Sequence, residues 1–159
     1  MLKVVSNTTP LISLLKLNRL EILKELYDEI IIPSAVYLEI ENGKHKEYYK
    51  DLTKLSWIRI QKIQNKLSFK YFLDMDAGEA EAIILATEIG ADLIILDEKL
   101  GRFHAKHAEL KVTGTIGILL KAKNIGIIKK IKPLLIELTE KDVWISNRLI
   151  NEICKISNE

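Results

Sequence analysis

The sequence predicts an α/β fold: a single domain over residues 1–159, with a central, mostly parallel twisted sheet covered by helices on both faces. Three observations predict it. Short apolar runs alternate with longer stretches of helical periodicity. Several of those runs end abruptly at a polar cluster or a proline that opens the next helix. The 48% hydrophobic content supports a real core, and no repeat, low-complexity tract or linker divides the chain.

The elements follow in order. Leu2–Val5 reads as a buried strand that stops at Ser6-Asn7-Thr8-Thr9, with Pro10 opening a short apolar helix, Leu11–Leu17. Thr9 is the expected cap of that helix. Asn18-Arg19-Leu20-Glu21 has the form of a capping box for a second helix ending near Tyr27. Glu29–Ile32 is a β-branched strand closed by Pro33, and a helix follows it to Gly43. Residues 44–51 read as an exposed helix. Trp57–Ile63 alternates apolar with polar, the mark of a half-buried strand, and Ser68–Leu73 is ambiguous. Asp76-Ala77-Gly78-Glu79 is a second capping box, Asp76 the cap and Glu79 its partner, for a helix that Gly90 stops.

Asp92–Leu96 is the clearest strand and ends at Asp97. A helix from Glu98 to about Glu109, a short strand Leu110–Thr113 and a helix capped by Thr115 come next. Two last helices are expected at 128–138, where Pro133 delays the start, and at 146–156. Trp57 and Trp144 are expected in the core or an interface.

Composition excludes several classes. No run reaches the roughly 18 apolar residues of a membrane span. Polar residues from Asn7 onward interrupt the first apolar stretch too early for a signal peptide. Cys154 is the only cysteine, so a reducing, cytoplasmic home is expected. A net charge of +2 does not by itself argue for nucleic acid. There is no G-x-x-x-x-G-K loop, no G-x-G-x-x-G after the first strand and no G-x-S-x-G elbow. His104 and His107 lack a third soft ligand, so a surface or partly buried role is favoured over zinc.

The candidate chemistry lies where open α/β sheets place ligands, beyond the carboxyl ends of the strands. Asn7 follows the first strand, Glu39 sits late in the helix after the second, Glu81 early in the helix after Asp76, and Asp97 at the end of a strand. Converging carboxylates hold hard divalent cations such as Mg²⁺ or Mn²⁺, which can activate water against a phosphodiester. The competing account, that such acids are caps or solvated charges, is the commoner one for acidic residues at element ends.

Five motifs, in chain order, carry a family resemblance. Val5-Ser6-Asn7-Thr8-Thr9-Pro10-Leu11-Ile12 resembles the V-S-D-T-S-P-L-I opening of a prokaryotic branch of the PIN domain family, related to VapC-type toxin ribonucleases. Gly78–Ile83 resembles its G-E-A-E-A-I and Ala91–Glu98 its A-D-x-L-L-L-D-E. Val112–Gly117 resembles V-T-G-T-x-G, and Lys132-Pro133-Leu134 the later K-P-L. The resemblance implies a PIN-like fold and a metal-dependent ribonuclease, the toxin of a toxin–antitoxin pair, with Mg²⁺ or Mn²⁺ as cofactor. It implies RNA as substrate, an antitoxin protein as partner and a homodimer. Its acidic cluster would fall on Asn7, Glu39, Glu81 and Asp97.

Asn7 is a departure, because the family has Asp there. A neutral amide oxygen ligates more weakly and cannot act as a base. Three readings stay open: a one-metal, slower enzyme; a silent module that binds RNA or an antitoxin-like protein; or a substitution introduced to disarm a toxic enzyme. Thr8 is a candidate for a phosphate oxygen. Lys99, Arg102 and Lys106 share one helical face that would suit an RNA backbone, with Arg102 nearest the acids.

Overall fold

A computed structural model describes residues 1–159. Five strands, β1 (Val4–Ser6), β2 (Ile30–Pro33), β3 (Ile58–Gln61), β4 (Leu93–Ile95) and β5 (Val112–Thr113), form one sheet in the order β3-β2-β1-β4-β5. Every pairing is parallel, with Val5 opposite Ile31 on one side and Ile94 on the other. The chain starts at the centre, fills one edge, then returns beside β1 to build the other. The order therefore reverses between β1 and β4, and the crevice at their carboxyl ends is a ligand position of such sheets.

Parallel strands buried on both faces read as continuous apolar runs, and alternate side chains divide between two layers. Val4, Ile30, Ile32 and Ile95 point into a cluster of 28 buried residues. It is shared with α1 (Thr8–Lys16), α2 (Glu21–Tyr27), α3 (Ser34–Glu41), α6 (Thr115–Asn124), α7 (Lys132–Glu140) and α8 (Asn147–Ile156). Val5, Ile31, Ile94 and Leu96 point the other way, into 11 buried residues under α4 (Ala77–Glu88) and α5 (Lys99–His107). Cys154 is buried on α8. No helix is long and apolar enough to cross a membrane.

Several local expectations need correction. Asn18 does not cap α2, whose N-cap is Leu20. It sits at φ 54°, and the bonds Asn18 N to Leu15 O and Arg19 N to Leu14 O close α1 in a Schellman motif. Asparagine tolerates that left-handed position, so the same residue ends one helix instead of starting the next. Thr9 is not the cap of α1 either: the helix begins at Thr8 with Asn7 in the N-cap position. Thr115 lies one residue inside α6, after Gly114.

Residues 44–51 form no helix. The bonds there, such as Lys46 N to Gly43 O and Tyr49 N to Lys46 O, span three residues. Tyr49 Oη donates to Glu41 at 2.8 Å, folding the segment back on α3. Trp57 is core, whereas Trp144 is 88% exposed. Helix α7 starts at Lys132 with the proline in its first turn, as expected.

Candidate functional site

The carboxyl ends of β1 and β4 deliver Asn7 and Glu98, the amino end of α4 delivers Asp76 and Glu79, and α3 delivers Glu39. These five side chains and two threonines are held by three separate sets of hydrogen bonds. Thr9 Oγ1 donates to Glu98 Oε1 at 2.6 Å, and Asn7 Nδ2 donates to Glu98 Oε2 at 3.3 Å. Thr8 donates its hydroxyl to Glu39 Oε2. Gly78 N–H donates to Glu39 Oε1 at 2.9 Å, and Glu79 N–H to Asp76 Oδ1 at 2.8 Å.

Gly78 is needed for this closure. A Cβ there would come within 2.5 Å of both Glu39 oxygens, and so push the carboxylate off the helix end. Asp76 and Glu39 thus satisfy two of the free N–H groups that begin any α-helix, and the positive helix end favours their charge. The Asp76 cap is as the sequence predicts. Glu79 is not: its carboxylate makes no bond back to the Asp76 backbone, and the side chain is buried among Asp76, Glu98 and Glu39. The short helix turn directs it inward, against acids that arrive from distant parts of the chain.

The electrostatics follow from that crowding. Burial first, then the charges of Asp76 and Glu98, push the Glu79 carboxyl up to about 7. Burial also raises Glu39; bonds from Thr8 and Gly78 pull the other way, while Asp76 and Glu98 add to the rise. None of the chain's ion pairs brings a lysine or arginine to Glu39, Asp76, Glu79 or Glu98.

Asn7 adds a second sign of an incomplete site. A carboxylate only accepts, so contact with Glu98 orients the amide with its NH₂ toward that group. Asn7 Oδ1 is then left as the chain's one buried side-chain oxygen or nitrogen without a partner. Such an orphan costs about 1–3 kcal/mol unless something donates to it. The available ligand atoms are all oxygen, the charge is negative, and the orphan oxygen suits a hydrogen-bond donor or a cation. In type and charge the group fits a hard divalent ion. The carboxylates stand apart, however: no three His, Cys, Asp or Glu side chains are grouped as ready ligands.

The expected ligand set Glu39, Glu81 and Asp97 is no more grouped as ready ligands than Glu39, Glu79 and Glu98 are. Glu39 lies in the pocket, but Glu81 Oε1 accepts from Ala35 N–H at 3.2 Å, at the start of α3. Both oxygens of Asp97 are engaged at the start of α6, by Thr115 N–H at 2.7 Å and Thr115 Oγ1 at 2.6 Å. Residues 79 and 81 are two apart on a helix and face different directions, so the G-E-A-E motif offers two acids of which one turns inward. Sequence reasoning did not single out Glu98, which the structure places against Thr9 and Asn7. Its signal was the adjacent acidic pair Asp97-Glu98 at the end of a central strand.

Thr8 is corrected too: its hydroxyl is committed to Glu39 and is buried. Lys99 and Lys106 are exposed on α5, whereas Arg102 tucks inward and donates to Leu96 O at 3.3 Å. His104 is half-buried and pairs with Asp74 at 3.1 Å beside the edge of Phe72.

A family model described as a PIN domain matches residues 3–159, nearly the whole chain. No curated protein and no solved structure matches it significantly.

Proposed function

This chain belongs to the PIN domain family, and from that premise we propose that it is a divalent-metal-dependent nuclease acting on RNA. The observation that carries the reading is the group Glu39, Glu79 and Glu98 around Asn7: like charges that repel across one crevice, one buried oxygen without a partner, and no basic side chain among them. A protein keeps such a group at a cost in stability, and perturbed carboxylates in a crevice are a mark of function.

In this proposal Glu39, Glu79 and Glu98 hold Mg²⁺ or Mn²⁺ with help from the Asn7 amide oxygen, and Asp76 adds charge from the pocket edge. When bound, the ion supplies a polarised phosphoryl oxygen and an acidified water. The chain's own residues do the rest. Thr8 and Thr9 orient Glu39 and Glu98 through their hydroxyls. The Glu79 carboxyl, pushed up to about 7 by its acidic neighbours in the metal-free chain, would give up its proton on holding the ion. Lys99 and Lys106 on α5 would screen the RNA backbone. A toxin role, an antitoxin partner, a homodimer and a cytoplasmic setting belong to the same proposal. The exposed Leu100 and Phe103 of α5 offer apolar surface for a protein partner.

A second reading is favoured by Asn7, whose neutrality weakens the ion site: a non-catalytic module that binds RNA or an antitoxin-like protein. Calorimetric titration with Mn²⁺, paired with an RNA cleavage assay, separates the two. The nuclease reading expects saturable Mn²⁺ binding, cleavage that stops in EDTA, and about tenfold tighter Mn²⁺ binding by Asn7→Asp, since one added charge is worth on the order of 1.4 kcal/mol here. Cleavage by neither chain would leave the binding module.

A further inference from the structure

Beside the acidic group, and separate from it, an open cleft of 380 Å³ is lined by Asp97, Arg102, Val112, Thr113, Gly114, Ile116 and Gly117. We propose that this cleft is a subsite for one phosphodiester of an RNA strand, held by Arg102 and the Thr113 hydroxyl next to the metal pocket. The proposal rests on the RNA reading above and assigns the seat of a second phosphate.

Three observations carry it. Arg102 is half-buried and its one side-chain hydrogen bond is Nη1 to Leu96 O at 3.3 Å, although a guanidinium has five N–H donors. It takes part in none of the chain's seven ion pairs. The one carboxylate in the cleft, Asp97, has both oxygens occupied by Thr115, so it anchors the wall and leaves the guanidinium free.

Second, the cleft is cleared by glycines. A Cβ at Gly114 would come 2.6 Å from Asp97 Oδ1 and 3.1 Å from Arg102 Nη1, and one at Gly117 would come 2.4 Å from Thr113 Oγ1. The space in front of a cation and a hydroxyl is thus kept open at two positions of one short loop and helix start.

Third, the cleft abuts the acidic pocket along the chain itself. Asp97 lines the cleft, and the next residue, Glu98, binds Thr9 and Asn7 in the pocket. A planar fork such as Arg102 matches two phosphate oxygens, and a strand crossing this wall would place successive phosphates on the two sides.

Binding of a fluorescent single-stranded oligoribonucleotide, followed by anisotropy in EDTA so that cleavage is off, tests this. Arg102→Gln is expected to lower affinity about tenfold and to flatten the slope of log K against log salt by about 0.7, one phosphate's worth for a single strand. Arg102→Lys keeps the slope but loses several-fold in affinity, and Thr113→Val loses a few-fold with the slope unchanged. An unchanged affinity in Arg102→Gln, or a loss without flattening, overturns the proposal. Should Arg102→Gln not fold by circular dichroism, oligonucleotides with one neutral methylphosphonate linkage decide it on the unaltered chain. One linkage must then stand out, and equal losses at every position overturn it.

Inorganic phosphate alone, followed by ³¹P NMR, is expected not to saturate the chain in the micromolar range. Saturation there, lost in Arg102→Gln, would assign the cleft to free phosphate and overturn the RNA assignment. The failures are distinguishable. RNA binding through Arg102 with no cleavage under Mn²⁺ supports this subsite and refutes the nuclease, while cleavage with binding indifferent to Arg102 does the reverse.

Discussion

Glu79 and Glu159 are the same residue type in opposite circumstances. Burial disfavours the charge of both. At Glu79 the neighbours are Asp76, Glu98 and Glu39, which repel, and the carboxyl rises to about 7. At Glu159 the neighbours donate. Lys123 Nζ and Ile131 N–H each lie at 2.7 Å and Lys132 N–H at 3.1 Å, and these bonds outweigh burial and bring the carboxyl to about 2. The second group is a clasp that ties the last residue to the start of α7, complete as it stands. The first is left short of positive charge. A buried acid that a fold has satisfied serves structure, and one that it has left unsatisfied marks a ligand.

Removing a pocket acid tests this contrast most severely. Glu98→Ala is expected to weaken Mn²⁺ binding and cleavage by on the order of 100-fold, with the thermal unfolding midpoint lowered by only a few degrees, because relief of the repulsion on Glu79 offsets the two donors, Thr9 Oγ1 and Asn7 Nδ2, that it strands. A midpoint that collapses while metal binding survives would make Glu98 a structural group like Glu159. The mirror experiment is Glu159→Ala. It strands two backbone donors and leaves Lys123 only the Ser157 carbonyl, and should cost about 2 kcal/mol, or roughly 6 °C in the midpoint. Mn²⁺ affinity by calorimetry should not move.

The smallest effect is also the most specific. Glu79→Gln removes one repelling charge and should raise the metal-free midpoint by about 3 °C, from about 1 kcal/mol after allowance for solvent screening. Its signature is the pH profile. Between about 4.5, where an unfolded glutamate ionises, and about 7, folded Glu79 keeps a proton that the unfolded chain has lost. Stability of the metal-free protein therefore falls as pH rises through that window, and Glu79→Gln should flatten the fall. Glu159 has the opposite sign: its contribution is present above about 4.5 and is lost as pH falls toward 2. Scanning calorimetry from pH 2 to pH 8 reads both limbs, and a profile unaltered by Glu79→Gln would remove the repulsion argument.

Much of the architecture was legible in the residues. Val4–Ser6 and Ile30–Pro33 overlap, and Leu93–Ile95 lies inside, apolar runs visible by inspection, and Gly90 closes α4 at φ 61° as a helix stop should. Helix termini were harder. Asn18 carries equal local preference for starting a helix and for ending one, and the packing of α1 against α3 and α6 goes with the ending. Residues 44–51 lost their expected helix to a contact, Tyr49 with Glu41, that reaches back into the preceding element.

The candidate site divides along the same line. Order and spacing along the chain determined that acids and Asn7 would gather at the carboxyl ends of a parallel sheet, because strand ends are set by local apolar patterning. Which acids face the gathering point was decided by the tertiary structure alone. Glu79 rather than Glu81 turns inward, Glu98 joins it, and Asp97 is diverted to Thr115. The direction of a side chain on a helix or loop depends on which backbone donors come within its reach, and those donors, Ala35 and Thr115, belong to other parts of the chain.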